Sequence, residues 1–504
     1  MSQVVLNPVT NRVQLMMSAA RGPQGPTGPT GPGGDMSGTN SLSEIVADGD
    51  VDLARGRLDA VKRDGSDVTD ASAFRDNIGA MTNGLPRIYI AGDSRGAQAS
   101  AEGRTVARGW MWPLQILTGA RFEFQPEFNF ALGGDDTQDM LDKVGDLLNV
   151  EPGIVVVICS TNDRTGTDTA DQSIARMADW QQQVLAHGHK LIWIAETPRG
   201  MSSDTTYAMN ATRTSYHFRV RRWQLAQAAK PGVYVADTWP TLGALNVTNS
   251  WAREGYFYDG LHFGPPAAVV VAEALAPIIN TLLPPTPRLI EALGDVWSAQ
   301  NPTGSLNANP VLAGTGGTAG TGASGTVATS WTVTAGAGLS ATCSKIVTDD
   351  GLYHGQRIVV SGAPTATNPG GVPVDPTGFA VIASCPLNNL SVSDIIEGTA
   401  FIKLHAGQEG ARAIALYLTI TTASGTTTYC AGEPNAARSF PNLDLPDVEL
   451  EGVWITPQVE ITEAVLSASI SVMIVGAPSN GVDPDVTISA TVDFTRTAAR
   501  KVLD

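Results

Sequence analysis

The sequence has few cysteines, and their spacing forms no recognisable motif. Only four occur in 504 residues, Cys159, Cys343, Cys385 and Cys430, and no two of them form a Cys-x-x-Cys pair. This excludes zinc ribbons and thioredoxin-like redox motifs. Cys159 lies in an apolar run, where a thiol behaves as a small buried hydrophobe. A disulfide among the other three is left open.

Positive charge is also scarce, because 32 Lys and Arg face 49 Asp and Glu, a net charge of −17. Nucleic acids and anionic membranes are therefore poor partners. The N-terminus lacks a basic segment followed by an apolar core, so we predict no signal peptide. The longest apolar stretch, PPAAVVVAEALAPIINTLL, contains Glu273 and Pro277, which predicts a packed helix and no membrane span. No metal or cofactor motif is present, and we expect neither.

Glycine and proline are abundant but unevenly distributed. Residues 22–33 read GPQGPTGPTGPG, four Gly-X-Y triplets. Only glycine fits at the axis of a collagen triple helix, so the pattern predicts a homotrimer. A stiff proline-rich linker is the alternative. We predict a collagen-like stub within an N-terminal segment at residues 1–34.

Residues 35–84 are polar and prone to helix, with a weak repeat of twenty residues. The repeated positions are Asp50, Arg55, Leu58 and Ala60, followed by Asp70, Arg75, Ile78 and Ala80. This pattern resembles the short repeats in the shafts of bacteriophage tail fibres. An ordinary helical linker is the alternative. The resemblance implies a virion tail protein, with a virion-attachment segment at 1–34 that contains the collagen-like stub and a tail-fibre-like linker at 35–84.

The remaining chain divides at the proline-rich segment LLPPTPRL, residues 282–289. Before it, at 85–284, apolar strand patterns alternate with helical patterns, which predicts a doubly wound, three-layer α/β/α domain. After it, at 285–504, alternating stretches are separated by Gly- and Asn-rich turns, which predicts a β-sandwich. That domain would bind carbohydrate or hold a trimer together.

Four short blocks in the α/β region each follow an apolar run or open a loop. They read RIYIAGDS (87–94), NFALGGDDT (129–137), CSTND (159–163) and YDGLHF (258–263). Ligands of open α/β sheets bind at the carboxyl ends of the strands. Glycines there permit turns whose N–H groups can face a developing negative charge. A carboxylate three residues before a histidine can orient that imidazole as a base.

In this order the blocks resemble the SGNH, or GDSL-type, hydrolase family over about 180 residues. The resemblance implies that Ser94 is the nucleophile, His262 the general base and Asp259 the orienting carboxylate. It also implies an oxyanion hole formed by the backbone N–H groups of Ser94 and Gly134 and by the side chain of Asn162.

Two positions depart from the family pattern. Arg95 follows the nucleophile, where leucine or isoleucine is frequent, and Ser160 stands where Gly-x-Asn-Asp has glycine. We predict that Arg95 leans over the pocket and that Ser160 crowds a tight backbone. Candidate substrate contacts on loops at this sheet edge are Arg95, Arg164, Arg199, Arg253 and Tyr256.

The expected protein is a trimeric phage tail spike or fibre whose esterase domain removes O-acetyl groups from a bacterial surface polysaccharide. Its partners would be that polysaccharide (capsule or O-antigen) and other virion tail or baseplate proteins. Two alternatives stay open. One is a receptor-binding fibre without activity, and the other is a bacterial esterase with a carbohydrate-binding module.

Overall fold

A computed structural model of the chain describes residues 3–6, 13–16, 86–99, 109–122, 124, 126–165, 168–203, 205–244, 251–285, 289–348, 351–365, 378, 380–432, 445, 447, 449–476 and 487–502. Contacts divide the chain into two units, Met1–Thr82 and Asn83–Asp504. The described part of the first unit is an antiparallel pair, β1 (Gln3–Leu6) and β2 (Val13–Met16). The predicted collagen-like triplets and linker repeats lie outside the described residues.

A parallel sheet organises residues 87–284. Its strands are β3 (Ile88–Gly92), β4 (Ile154–Ile158), β5 (Lys190–Ile194) and β6 (Val233–Ala236), paired in that order. On the other side of β3, Ile90 forms a parallel bridge with Asn129. If the segment at Asn129 is counted as the second strand of this sheet, the order across the sheet is Asn129 segment, β3, β4, β5, β6. This is a doubly wound order, and the chain direction across the sheet switches at β3.

The apolar alternation of FEFQPEFNFAL (residues 122–132) predicts a strand, but among the described residues of this stretch only Asn129 forms a β-bridge, so the prediction is wrong there. Pro126–Phe128 form a 3-10 turn, and pairing with β3 is limited to the bridge and two hydrogen bonds, from Phe130 to Ile90 and from Leu132 to Gly92. Pro126 has no N–H to donate to a ladder, so a regular strand cannot run through it.

Helices cover both faces of this sheet, as expected for strands that are buried on both sides. Ile90 and Val156 face a core shared with α2 and α8, whereas Val155 and Trp193 face a core shared with α5 and α6. The helices are α1 (Ser94–Ala97), α2 (Met111–Leu117), α3 (Thr137–Asp142), α4 (Val144–Leu148), α5 (Ala170–Ala186), α6 (Ala211–Ala226), α7 (Trp239–Leu242) and α8 (Pro265–Leu282). Further 3-10 turns are Asp163–Thr165, Thr205–Tyr207 and Gln227–Ala229.

Helix α8 is the apolar stretch singled out in the sequence. Pro265 stands in its first turn, where a missing N–H is tolerated. Within the described residues it alone is long and apolar enough to cross a membrane, judged by length and composition. Half of it is buried, and Val271 and Leu275 pack into the sheet core.

Two sheets with a common core form the C-terminal region, in agreement with the predicted sandwich. One has the order β16-β13-β19-β11-β10-β8 with β17 on β13, and the other the order β15-β14-β18-β12-β9-β7. The strands are β7 (Thr318–Ala319), β8 (Ala323–Gly325), β9 (Thr332–Ala335), β10 (Leu339–Val347), β11 (His354–Gly362), β12 (Ala380–Pro386), β13 (Ile395–Leu404), β14 (Ala411–Thr422), β15 (Gly425–Gly432), β16 (Leu450–Ile455), β17 (Val459–Glu460), β18 (Ser467–Gly476) and β19 (Ile488–Val502). The four cysteines form no disulfide.

The two regions meet where α2 packs on β16. The rings of Trp112 and Trp454 lie 5.6 Å apart, and both residues belong to the sandwich core together with Ile116. A Cβ on Gly452 would come within 2.2 Å of the carbonyl oxygen of Ile116. Only a glycine permits so close an approach. The predicted boundary at 284/285 stays a prediction.

Candidate active site

The nucleophile candidate follows the strand beside the switch point. Gly92 has a φ of +123°, and a Cβ there would lie 1.8 Å from the carbonyl oxygen of Ile158, so glycine is required for β3 to pass this close to β4. Asp93 then accepts the backbone N–H of Arg95 and starts α1. Ser94 is the first residue of that short helix and is partly exposed at the sheet edge.

Three side chains from the first and fourth blocks form a hydrogen-bonded chain. Ser94 Oγ lies 2.8 Å from His262 Nε2, and His262 Nδ1 lies 2.6 Å from Asp259 Oδ2. Oδ1 of Asp259 accepts the backbone N–H groups of Leu261 and His262, at 3.0 and 2.8 Å. The carboxylate therefore fixes a tautomer with the proton on Nδ1, leaving Nε2 to accept a proton from Ser94.

The electrostatics support a charged carboxylate at Asp259. Burial by itself would raise its pKa. The hydrogen bonds and charge from His262, with the N–H of Leu261, outweigh burial and lower the pKa from its ordinary value. Asp259 is therefore ionised at neutral pH, where it can stabilise an imidazolium.

Two tyrosines that the sequence analysis missed contact His262. The ring of Tyr258 stacks on the imidazole at 5.4 Å and 15°, and the ring of Tyr207 meets it nearly perpendicularly at 6.2 Å. Tyr258 also donates its backbone N–H to the carbonyl of His262. Tyr258 is visible in the YDGLHF block, whereas Tyr207 lies in a connecting segment with no sequence signal.

The predicted oxyanion groups lie in neighbouring loops. Gly134 has a φ of +94° with open space where a Cβ would point, and a Cβ on Gly133 would lie 4.0 Å from that of Ser94. Asn162 Nδ2 donates to the carbonyl of Asp135 at 2.7 Å, which ties the second and third blocks together. The structure brings these groups to the same sheet edge as Ser94, while their roles stay predictions.

Asn129, the first residue of the second block, contacts the nucleophile helix α1 directly. Its Nδ2 donates to the carbonyls of Gly96 and Ala97 at 3.1 and 3.2 Å. Its Oδ1 accepts the N–H of Ala131. One side chain therefore joins the C-terminal end of α1 to the glycine loop.

Ser160 adopts the backbone that glycine favours. Its φ is +83°, in the left-handed region that L side chains rarely occupy. Its hydroxyl donates to Glu196 Oε1 at 2.8 Å, with both side chains buried. This strain is consistent with the prediction that a side chain at position 160 crowds a tight backbone. The hydrogen bond to Glu196 offsets the strain.

Arg95 does not lean over the pocket, and its prediction as a substrate contact is wrong. Its side chain is fully buried below the site, where it donates to the carboxylates of Asp93 and Glu196, to the Thr197 hydroxyl and to the carbonyl of Cys159. A buried guanidinium needs such partners to offset the loss of hydration.

Arg164 and Arg199 are also buried, so the same prediction is wrong for them. Arg164 pairs with Glu196. Arg199 donates to the carbonyl and hydroxyl of Thr161, both at 2.7 Å, and its guanidinium lies 5.1 Å from the ring centre of Tyr207. These arginines bind loops of the protein.

Arg253 and Tyr256 keep their status as predicted substrate contacts. Arg253 is exposed and lies 4.8 Å from the ring centre of Tyr256, which is partly exposed.

Glu196 was not predicted as a site residue, although a carboxylate just after an apolar strand at a sheet edge is a usable sequence signal. Among the described residues, no cluster of three or more His, Cys, Asp or Glu could hold a metal ion.

Comparison with known proteins places this geometry in a family. Residues 90–268 match the model of the GDSL-like Lipase/Acylhydrolase family. Similar solved structures include a GDSL-like lipase from Bacteroides thetaiotaomicron, at 15% identity and a TM-score of 0.31, covering 42% of this chain and 97% of that one. A lipase/acylhydrolase from Enterococcus faecalis has 16% identity, a TM-score of 0.30, and coverage of 40% and 100%. An acetyl xylan esterase has 17% identity, a TM-score of 0.28, and coverage of 38% and 99%.

No curated protein matches the chain significantly. The family match covers the first block from Ile90 onward and the other three blocks in full, and it ends in the first turn of the helix after His262. Residues 90–268 are a GDSL-like lipase/acylhydrolase domain.

Proposed function

We propose that the protein is a serine esterase that uses Ser94, His262 and Asp259. The observation that carries the proposal is the hydrogen-bonded chain from Ser94 Oγ through the imidazole to the Asp259 carboxylate, with links of 2.8 and 2.6 Å. A neutral hydroxyl is a weak nucleophile and needs a base within this distance. The family match at 90–268 supports acyl transfer as the reaction class.

Acylation begins when Ser94 Oγ attacks the carbonyl carbon of an ester and its proton passes to His262 Nε2. The carbonyl double bond becomes a C–O⁻ bond of a tetrahedral intermediate. Collapse of this intermediate breaks the bond to the alkoxy leaving group, which takes the proton from Nε2. An acyl-serine and a free alcohol result, and Asp259 stabilises the transient imidazolium throughout.

Deacylation repeats these steps with water as the nucleophile. His262 Nε2 removes a proton from water as its oxygen attacks the acyl-serine carbonyl. Breaking the bond to Ser94 Oγ then returns a proton to the serine and releases a carboxylic acid. The backbone N–H groups of Ser94 and Gly134 and the Asn162 amide are the proposed donors to the oxyanion in both halves, each worth about 10²–10³-fold in rate.

The proposed substrate is an O-acetyl or similar ester on a bacterial surface polysaccharide, reached by a phage tail spike or fibre. The support comes from the sequence: collagen-like triplets at 22–33 and shaft-like repeats at 35–84 precede the hydrolase domain, and a two-sheet region follows it. We propose a homotrimer attached to the virion through its N-terminal segment.

Hydrolysis of a chromogenic acetate ester tests the catalytic proposal. We expect Ser94→Ala to lower kcat by at least about 10³-fold, because the nucleophile is lost. Ser202→Ala, which changes an exposed serine outside the site, is the matched control and should keep the wild-type rate. Equal rates for wild type and Ser94→Ala would refute the esterase and favour a receptor-binding fibre.

Incubation with purified capsule or O-antigen tests the substrate. We expect release of acetate with no change in polymer length. Shortened chains would indicate a depolymerase. Protein found free in culture supernatant, and absent from virions, would indicate a bacterial esterase and contradict the tail-spike proposal.

A further inference from the structure

We propose that Glu196 is a positioning residue that locks the nucleophile turn to the loop carrying Asn162. This inference rests on the proposed esterase function and adds a residue to its machinery. Glu196 lies two residues after the end of β5, and it is about 1% exposed. Its backbone N–H is held by Gln224 Oε1 from α6, at 2.8 Å.

The first contact of Glu196 is with the nucleophile turn. Arg95 Nη2 lies 3.0 Å from Glu196 Oε1 and 2.6 Å from Asp93 Oδ2. Asp93 and Arg95 are the immediate neighbours of Ser94 in the chain. A shift of this ion pair would therefore move the backbone that carries the nucleophile.

The second contact is with the loop that follows β4. Ser160 donates its hydroxyl to Glu196 Oε1 at 2.8 Å, and Arg164 pairs with Oε2. Ser160 and Arg164 stand two residues before and two residues after Asn162. Glu196 thus holds both sides of the segment that presents the proposed oxyanion amide.

The residues after Glu196 extend the connection. Thr197 accepts from Arg95 Nη1 at 3.0 Å, and Arg199 donates to Thr161. The backbone N–H of Gly200 donates to the carbonyl of Gly260 at 2.7 Å, within the loop between Asp259 and His262. The short segment 196–200 therefore contacts three of the four segments that the proposed reaction needs, those that carry Ser94, Asn162 and the pair Asp259–His262.

Charge explains why this arrangement is rigid. Burial opposes ionisation of Glu196, but the charges of Arg164 and Arg95 hold its pKa well below the ordinary value. Buried ion pairs contribute little net stability, yet removal of one partner leaves an uncompensated charge and is strongly destabilising. We infer that these ion pairs hold the nucleophile turn and the loop after β4 in one relative position.

Both departures from the family pattern end at the same atom. Arg95, in the first turn of α1, and Ser160, in the loop after β4, each bond to Glu196 Oε1 although they are distant in sequence. Ser160 bears backbone strain at a φ of +83° that glycine would avoid. The shared acceptor gives both residues a role, so we infer that Arg95, Ser160 and Glu196 act as one coupled group.

Steady-state kinetics of Glu196→Gln, Ser160→Gly and the double variant test this coupling. We expect Glu196→Gln to lower kcat about 10–100-fold with KM within about twofold, since small misplacements of reacting groups have effects of this size. Ser160→Gly should lower kcat less. The losses in the double variant should add to less than the sum of the two single losses, because Ser160 and Glu196 act through the same contact.

A covalent probe keeps the test independent of folding. The rate at which a fluorophosphonate labels Ser94 is measured at a temperature where each variant is folded by circular dichroism, and it should fall in parallel with kcat. Ser160→Ala, which keeps the strain and loses the bond, substitutes for Glu196→Gln if that variant does not fold. Arg219→Gln removes an exposed ion pair between α6 and Asp171 of α5, and it should change neither kcat nor the labelling rate.

The outcomes separate the two proposals. Wild type and Ser94→Ala with equal rates would overturn the esterase and this inference together. An active wild type whose Glu196→Gln variant keeps kcat and labelling rate within about twofold would overturn the positioning role alone. So would losses that add in full in the double variant.

Discussion

Asp259 holds His262 at two points, because Oδ2 lies 2.6 Å from Nδ1 while Oδ1 accepts the backbone N–H of the same residue at 2.8 Å. Asp259→Asn separates the two contacts, since an amide oxygen can still accept the backbone N–H groups but supplies no charge at Nδ1. We expect kcat to fall by about 10²–10⁴-fold with an unchanged circular dichroism spectrum.

Asp259→Ala removes both contacts and is the matched comparison. It should lose the same activity and also lower the melting temperature, because the backbone N–H groups of Leu261 and His262 lose their acceptor. If Asp259→Asn kept more than about a tenth of wild-type kcat, Asp259 would not be the orienting carboxylate.

Gly134 is predicted to present a backbone N–H to the oxyanion. With a φ of +94° and no neighbour within 4 Å of an added Cβ, Gly134→Ala introduces backbone strain without a steric clash. We expect kcat to fall about 10–100-fold, since a reoriented donor loses part of its 10²–10³-fold effect. Esterase assays at saturating substrate measure this.

Gly351→Ala provides the same strain away from the site, at a φ of +72° and also in open space. Both variants should lose about 1–2 kcal/mol of unfolding free energy, while only Gly134→Ala loses activity. A larger kcat loss in Gly133→Ala than in Gly134→Ala would assign the donor to Gly133.

The pH dependence of stability follows from Glu196. Its pKa is lowered in the folded protein by Arg164 and Arg95 against the effect of burial. The unfolded chain takes up the proton near its ordinary value of about 4.3, so below that pH the unfolded state binds more protons and stability falls. The full contribution is present at neutral pH.

We therefore expect the unfolding free energy of the wild type to decrease more steeply between about pH 5 and pH 3 than that of Glu196→Gln, with other carboxylates contributing equally to both. Urea unfolding at a series of pH values measures the two slopes. Parallel slopes would mean that Glu196 does not have a lowered pKa.

The contact between α2 and β16 predicts a steric effect. A Cβ on Gly452 would lie 2.2 Å from the carbonyl of Ile116, so Gly452→Ala should lower the unfolding free energy by about 1–3 kcal/mol. Gly294→Ala, where no atom lies within 4 Å, should have no such effect. A melting temperature for Gly452→Ala equal to that of Gly294→Ala would show that β16 does not pack this tightly on α2.

The parts of the site that could be predicted are those written in local sequence. Ser94, Asn162 and the pair Asp259–His262 each lie in a short block at the end of a strand or in one loop, so spacing and a parallel sheet suffice to bring them to one edge. The same reasoning predicted the two-sheet region from alternating stretches separated by turns.

What failed depended on partners distant in the chain. Arg95 is read as exposed from its own neighbours, but in the fold Glu196, 101 residues away, joins Asp93 in pairing with its buried guanidinium. Arg199 likewise depends on Thr161. The strand predicted through Pro126 is wrong because the prediction relied on apolar alternation and neglected the missing backbone N–H of the proline.

Helix α2 has a practical consequence for anyone who wants the enzyme alone. At one end, Trp110 Nε1 donates to the carbonyl of Arg95 beside the nucleophile, and along its length Trp112 and Ile116 enter the sandwich core. A hydrolase-domain fragment cut at the proline-rich segment would expose the apolar surface of Trp112 and Ile116, on a helix whose other end contacts the turn that carries Ser94. Polar replacements at Trp112 and Ile116 would have to accompany the cut.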